Sequence, residues 1–194
     1  IDRQRFDVLA EEGLTRASIG IQDFNPIIQK AIGRPQSWEV TAEVVAMIRD
    51  AQIDSVNFDL LYGLPHQTEK SFAATLAQIS TLVPDRMAMF GYAHVPWMAR
   101  RQVMIDERSL PSAGDRPQLL ELGRRHFRNQ GLLPVRIDHF ARPSDSLVKA
   151  AEQGRLKRNF QGYTDDPSDH LIGIGASAIS RLPQGYAQNA AGTS

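Results

Sequence analysis

The sequence predicts an α/β fold, with strands joined by helical segments of about 10 to 15 residues. Three observations carry that prediction. Strand-like segments recur at 16–22, 57–65 and 86–93, the first two alternating apolar and polar residues. Segments with helical spacing separate them, opened by residues able to cap a helix. On the first two strands one face is aliphatic and the other small or polar. This favours part of a barrel with a wet or ligand-filled lumen over an open, doubly wound sheet.

Residues 1–14 read as the tail of an amphipathic helix, with Phe6, Leu9 and Ala10 on one face and Gly13 near its C-cap. The chain is therefore expected to start inside a repeating unit. Arg16 to Gln22 forms a strand with Ala17, Ile19 and Ile21 on one face and Ser18, Gly20 and Gln22 on the other. A short helix over 25–32 has Asn25 as N-cap and Pro26 at its first position. Ser37 caps the next helix, which carries Glu39 in its first turn and Val40, Val44 and Ile48 on one face.

The stretch NFDLLYGLP, residues 57–65, reads as a buried strand that ends at Gly63 and Pro65. Val56, Phe58 and Leu60 alternate with Asn57 and Asp59, so a carboxylate rides on the polar face. Thr68 caps a helix bearing Phe72, Leu76, Ile79 and Leu82, which Pro84 ends. Arg86 to Ala93 is the next strand. Residues 95–113, rich in Met, Arg and Pro, are long for a connection and read as a functional loop or lid.

Asp115 caps a helix through Gln130, with Pro117 in its first turn and Gly131 as its stop. A strand over 135–140 and a helix over 145–153 follow. Beyond Gly154 the chain reads as glycine-rich and irregular. GIGAS at 173–177 lacks the third glycine of a dinucleotide fingerprint and the lysine of a phosphate loop, so it reads as a close backbone approach.

At 194 residues the chain supports one substantial core but is short for an eight-unit barrel, which needs about 250 residues. Its 22 basic and 22 acidic residues balance, which gives no electrostatic reason for a nucleic-acid or anionic-membrane partner. No apolar run spans a bilayer and no signal peptide is present, so a soluble, cytoplasmic protein is expected. With no cysteine, the chain has no disulfide, thiolate nucleophile or thiolate metal ligand of its own.

In a barrel, chemistry collects at the C-terminal ends of the strands. Gln22, Asp59, the Tyr92-Ala93-His94 turn and Asp138-His139 are the candidates there. Each has a plain structural alternative: a backbone-bonded glutamine, a carboxylate capping a turn, satisfied histidines and, for Arg34, a solvated loop position. Asp59, His94 and His139 also admit a metal-dependent barrel hydrolase, although closely spaced ligand pairs are missing.

SIGIQDFN at 18–25, NFDLLYGLPHQT at 57–68, FGYAHVP at 90–96, DHFARP at 138–143, RNFQGYT at 158–164 and GIGASAIS at 173–180 together resemble the oxygen-independent coproporphyrinogen III oxidases. These are radical S-adenosylmethionine (SAM) enzymes of haem biosynthesis. The resemblance covers nearly the whole chain and implies a portion of a partial (β/α)6 TIM-like barrel. Residues 1–194 are then expected to form one incomplete barrel domain with the start of the following segment and no second complete domain.

The implied activity is oxidative decarboxylation of two propionates of coproporphyrinogen III to vinyl groups, through a radical generated from SAM by a four-iron four-sulfur cluster. The family binds two SAM molecules. Carried over residue by residue, Gln22, Arg34, Asp59 and Ala93 resemble contacts to the second, and Phe160 and Ile179 contacts to the first. No catalytic residue is assigned.

The family's cluster sits on three cysteines, so its ligands are expected outside this sequence, which alone should not turn over. The resemblance further implies a porphyrinogen substrate, an electron donor for the cluster and a monomer, without nucleic acid or membrane. The related radical SAM haem chaperone is the alternative, although RNFQGYT and DHFARP match the oxidase pattern better.

Overall fold

Three parallel strands supply the scaffold on which everything else is hung: β1 (Arg16–Gln22), β2 (Ser55–Tyr62) and β3 (Arg86–Gly91). The computed structural model describes residues 3–53, 55–159 and 162–192. Each strand puts its aliphatic face against helices. Ile21, Val56, Phe58, Leu60, Met87 and Met89 are almost fully buried there with Phe72, Leu76, Phe127 and Phe140. Side chains of this size each stabilise the fold by about 1.5–3 kcal/mol when removed from water.

The helices start where the sequence signals them. Before α2 (Pro26–Ala31), Asn25 accepts the Ile27 N–H at 2.9 Å. Before α3 (Trp38–Asp50), Ser37 accepts the Val40 N–H at 3.2 Å. Thr68 and Ser71 form a reciprocal capping box at the start of α4 (Glu69–Thr81). Asp145 caps α6 (Ser146–Glu152) by accepting the Leu147 N–H at 2.8 Å.

Three helix details differ from expectation. In α1 (Arg3–Glu11) Phe6 is buried but Leu9 is 52% exposed, so the apolar face is narrower than the sequence implies. In α3 the inward stripe is Thr41, Val45 and Ile48, while Val40 faces out. Thr41 can be buried because its hydroxyl donates to the Ser37 carbonyl and accepts from the Gln36 amide. At α5 (Asp115–Asn129) Gly114 holds the cap position, and Asp115, already inside the helix, accepts from the Ser112 N–H and hydroxyl.

The parallel pattern stops after β3. The expected strand over 135–140 is a hairpin, β4 (Leu133–Val135) and β5 (His139–Ala141), giving a sheet ordered β1-β2-β3-β5-β4 with β5 antiparallel to β3. Arg136 turns the chain at φ 65°, and Ile137 is 68% exposed where a straight strand would have placed it on Val135's buried face.

The region beyond Gly154 is more ordered than its composition implies. It contains two hairpins, β6–β7 (Lys157–Asn159, Gly162–Thr164) and β8–β9 (Ile179–Leu182, Gly185–Gln188). Gly173 is the close approach expected of GIGAS, since a Cβ there would meet the Ile179 backbone at 2.8 Å. Two short 3-10 helices, Arg100–Met104 and Glu107–Ser109, lie in the long loop. Among the described residues no helix is long and apolar enough to cross a membrane.

Candidate functional site

Period-two alternation on β1 and β2 gathers their polar faces into one wall. Register places Gly20 opposite Asp59, Asp59 opposite Ala88, and Ala88 opposite His139. Asn57 Nδ2 donates to Asp59 Oδ1 at 2.8 Å and to Ser18 Oγ at 2.9 Å, and Ser18 Oγ donates to Asp59 Oδ2 at 3.2 Å. The expected shared lumen of Ser18, Asn57 and Asp59 is therefore formed. Because the Asn57 amino group faces acceptors, its Oδ1 is left buried without a partner among the described residues.

At the C-terminal end of β1 the register breaks between Gly20 and Gln22, and Gln22 takes φ 63°. The bulge turns the Gln22 amide back over Gly20, with Oε1 buried and unpaired among the described residues. Arg34, delivered by the turn that follows α2, donates from Nη2 to the Gly20 carbonyl at 3.0 Å. A Cβ at Gly20 would stand 3.0 Å from both Arg34 Nη2 and Gln22 Nε2, so this corner is built around glycine.

Two cavities border the wall. One of about 510 Å³ is lined by Ser18, Asn57, Asp59, Phe90, His139 and Tyr163, among others. The larger, about 970 Å³, runs past Gly20 and Arg34 to Trp38 and Gln78. Ser18 borders both. The larger space follows the helical flank and takes in Arg34, whereas the smaller one holds the polar wall and its carboxylate; Gln22 is among the lining residues of neither.

Beneath the wall lies a group that sequence reasoning missed. Asp23 is fully buried and accepts from the Asn25 N–H at 2.7 Å, the Thr75 hydroxyl at 2.7 Å and Gln67 Nε2 at 2.8 Å. Gln67 in turn accepts the Gly63 N–H at 2.6 Å. Burial pushes the Asp23 carboxyl above its ordinary pKa, while those donors pull it back. This network ties the ends of β1 and β2 to α4 and fixes where Gln22 and Asp59 stand. Its signal in the sequence is faint: an Asp beside a strand end and a Gln after Gly-Leu-Pro.

The other candidates are dispersed. Ala93 is exposed just past β3, and its carbonyl accepts from Gln102 Nε2 at 3.1 Å, which anchors the long loop. Ile179 lies in β8 opposite Gln188, outside the cavity that Asp59 lines. Phe160 falls outside the described residues. His94 meets the Tyr92 hydroxyl at 3.1 Å and Glu107 at 3.4 Å, while His139 meets Asp138 at 2.7 Å. Among the described residues no three His, Asp or Glu side chains are placed to hold a metal ion. The metal-site reading of Asp59, His94 and His139 therefore has no geometric support. Asp138-His139 also opens an antiparallel strand, instead of closing a parallel one as expected.

The Radical SAM superfamily model matches residues 1–79. That stretch carries β1, β2 and the polar lumen wall. Similarity extends well past residue 79. The chain is 58% identical over 193 residues to the oxygen-independent coproporphyrinogen III oxidase of Paracoccus denitrificans, covering 100% of this chain and 43% of that protein. It is 42% identical to that of Pseudomonas aeruginosa, covering 97% and 41%. The solved coproporphyrinogen III oxidase (HemN) of Escherichia coli, described as a radical SAM enzyme, superposes with a TM-score of 0.90 at 40% identity over 99% of this chain and 44% of that one. Within the superfamily, the chain belongs to the oxygen-independent coproporphyrinogen III oxidases. It spans about 43% of the length of such relatives.

Proposed function

We propose that this chain is part of an enzyme that oxidatively decarboxylates two propionates of coproporphyrinogen III to vinyl groups, yielding protoporphyrinogen IX. The observation that carries the reading is the wall around Asp59. It presents a carboxylate and the buried Gln22 Oε1 and Asn57 Oδ1, both without a partner among the described residues, so it complements a ligand that brings its own donors. The ammonium group and ribose hydroxyls of SAM are such donors. Arg34 keeps further N–H groups besides the one given to Gly20, suited to a carboxylate.

On this reading Gln22, Arg34, Asp59 and Ala93 hold one SAM, and Phe160 and Ile179 the other. SAM, when bound, supplies the hydrogen-abstracting chemistry. The chain's own work is to orient it and to exclude water. An iron–sulfur cluster does not fit this stretch, because the sequence contains no cysteine. On this reading its ligands lie outside residues 1–194. Residues 1–194 form part of one barrel domain in a cytoplasmic monomer that takes electrons from a separate donor.

The test is Asp59→Ala in the complete protein that carries this chain, with the cluster reconstituted anaerobically. SAM binding should weaken about tenfold, a change of ~1.4 kcal/mol, with protoporphyrinogen formation falling alongside. A large loss of melting temperature with unchanged SAM affinity would return Asp59 to a structural role. An intact cluster with stoichiometric haem binding and no product would sink the oxidase reading.

A further inference from the structure

His139 stands at the far end of the wall from Gln22. It shares a sheet row with Asp59 across Ala88, which puts the two backbones two strand spacings, about 10 Å, apart. Both side chains line the cavity of about 510 Å³. Ala88, with the smallest side chain in that row after Gly20, keeps the floor between them low.

The imidazole is held on several sides. Nδ1 lies 2.7 Å from Asp138 Oδ1, and a carboxylate can only accept, so Nδ1 carries the proton and donates. Phe90 and Tyr163 meet the ring edge to face, at centroid distances of 5.8 and 5.1 Å and angles of 79° and 85°. The Arg158 guanidinium lies 5.3 Å from the Tyr163 ring centroid. Nε2 points past Gly162, where a Cβ would stand 3.1 Å from it. It has no hydrogen-bond partner among the described residues. In the neutral ring, fixed in this tautomer by Asp138, Nε2 offers a lone pair.

Three acceptors face this space together when the His139 ring is neutral. Asp59, Asn57 Oδ1 and His139 Nε2 all accept. The two arginines that border it already face carboxylates: Arg86 meets Asp145 at 2.7 Å and Arg16 meets Asp165 at 3.4 Å. A ligand that brings N–H or O–H groups suits these acceptors.

We propose that His139 contacts the tetrapyrrole substrate directly, its Nε2 accepting a pyrrole N–H, with Asp138 as the positioning residue that sets the tautomer. This deepens the oxidase reading and rests on it. The SAM contacts occupy the Gln22 and Asp59 end of the wall, and His139 serves the porphyrinogen end. Phe90 and Tyr163 hold the ring upright between the two.

The experiment uses the complete, cluster-loaded protein that carries this chain, with four readouts: equilibrium binding of coproporphyrinogen III, equilibrium binding of SAM, the KM-against-kcat split, and melting temperature. His139→Leu should raise the dissociation constant and KM for coproporphyrinogen about tenfold and leave SAM affinity within about twofold. His139→Gln, whose carbonyl can accept, should recover much of that loss. Asp138→Asn should weaken porphyrinogen binding with His139 still present, because the ring is then free to take the other tautomer. Unchanged porphyrinogen affinity in His139→Leu, or a loss confined to SAM, overturns the proposal. A lowered melting temperature with equal losses in the Gln and Leu variants also overturns it. Failure of the unsubstituted protein to make product would instead strike the oxidase reading, while its porphyrinogen binding still tests the His139 contact.

Discussion

Replacing Gln67 by Leu tests whether the network under the wall sets the positions of the strand ends. Gln67 is 4% exposed and fills its space with four bonds. Its Oε1 accepts from Gly63 N–H at 2.6 Å and Leu64 N–H at 3.3 Å, and its Nε2 donates to Asp23 Oδ2 at 2.8 Å and to the Leu61 carbonyl at 3.1 Å. Leucine has similar bulk and no polar atoms, so it strands the Gly63 and Leu64 N–H groups and one oxygen of a fully buried carboxylate. Each stranded group costs about 1–3 kcal/mol, and with the long Leu64 bond near the bottom of that range and the leucine's own burial offsetting part, the sum is ~3 kcal/mol.

At ~2–4 °C per kcal/mol for a domain of this size, the melting temperature should fall by about 6–12 °C. The complete protein should be measured by urea unfolding and by amide hydrogen exchange, since Gly63 and Leu64 report locally. Both amides should lose protection, and SAM affinity should fall because the end of β2 shifts. A change below ~0.5 kcal/mol, the range of surface substitutions, with protection intact would refute the reasoning.

Two further outcomes follow from the same packing. Burial raises the folded-state pKa of Asp23, so the native chain binds its proton more tightly than the unfolded chain does. That contribution is complete below the unfolded pKa near ~3.9 and is lost as pH rises through the raised value. The unfolding free energy of the unsubstituted protein minus that of Asp23→Asn should therefore shrink with rising pH above about 4, and a difference that grows would contradict the burial argument. Separately, a Cβ at Gly123 of α5 would collide with Met89 Sδ and lie 2.9 Å from its Cε, in the core. Gly123→Ala should cost about 1–3 kcal/mol by denaturant unfolding, and should cost less when introduced into a Met89→Ala background than into the unsubstituted protein.

Much of this molecule was legible because its signals are local. Asn25, Ser37, Thr68 and Asp145 cap helices through bonds to residues two or three positions away, and those residues are in view in the sequence. Alternation on β1 and β2 likewise declares a polar face, so the grouping of Ser18, Asn57 and Asp59 follows from the sequence. Helix faces were read less well. Val40 against Thr41 is a choice of rotation about the helix axis, and Thr41 won because Ser37 and Gln36 satisfy its hydroxyl. The motifs that carried the resemblance specified family and cofactor class, because those stretches are read by residue identity.

What the sequence could not settle is long-range. Thr75 and Gln67 reach Asp23 from 52 and 44 residues away, so an ordinary-looking loop aspartate became a buried hub only once α4 closed over β1. The direction of β5 depended on whether the chain turned at Arg136, and the exposure of Ile137 shows that the neighbouring sheet, more than local propensity, decided it. That turn also carries Asp138-His139 from an expected strand end to a place opposite Ala88. The sequence alone determined that Asp59 lies on a polar strand face in a radical SAM chain. Only the tertiary structure decided that His139 faces the same cavity, because register between β2, β3 and β5 exists only when the three strands meet.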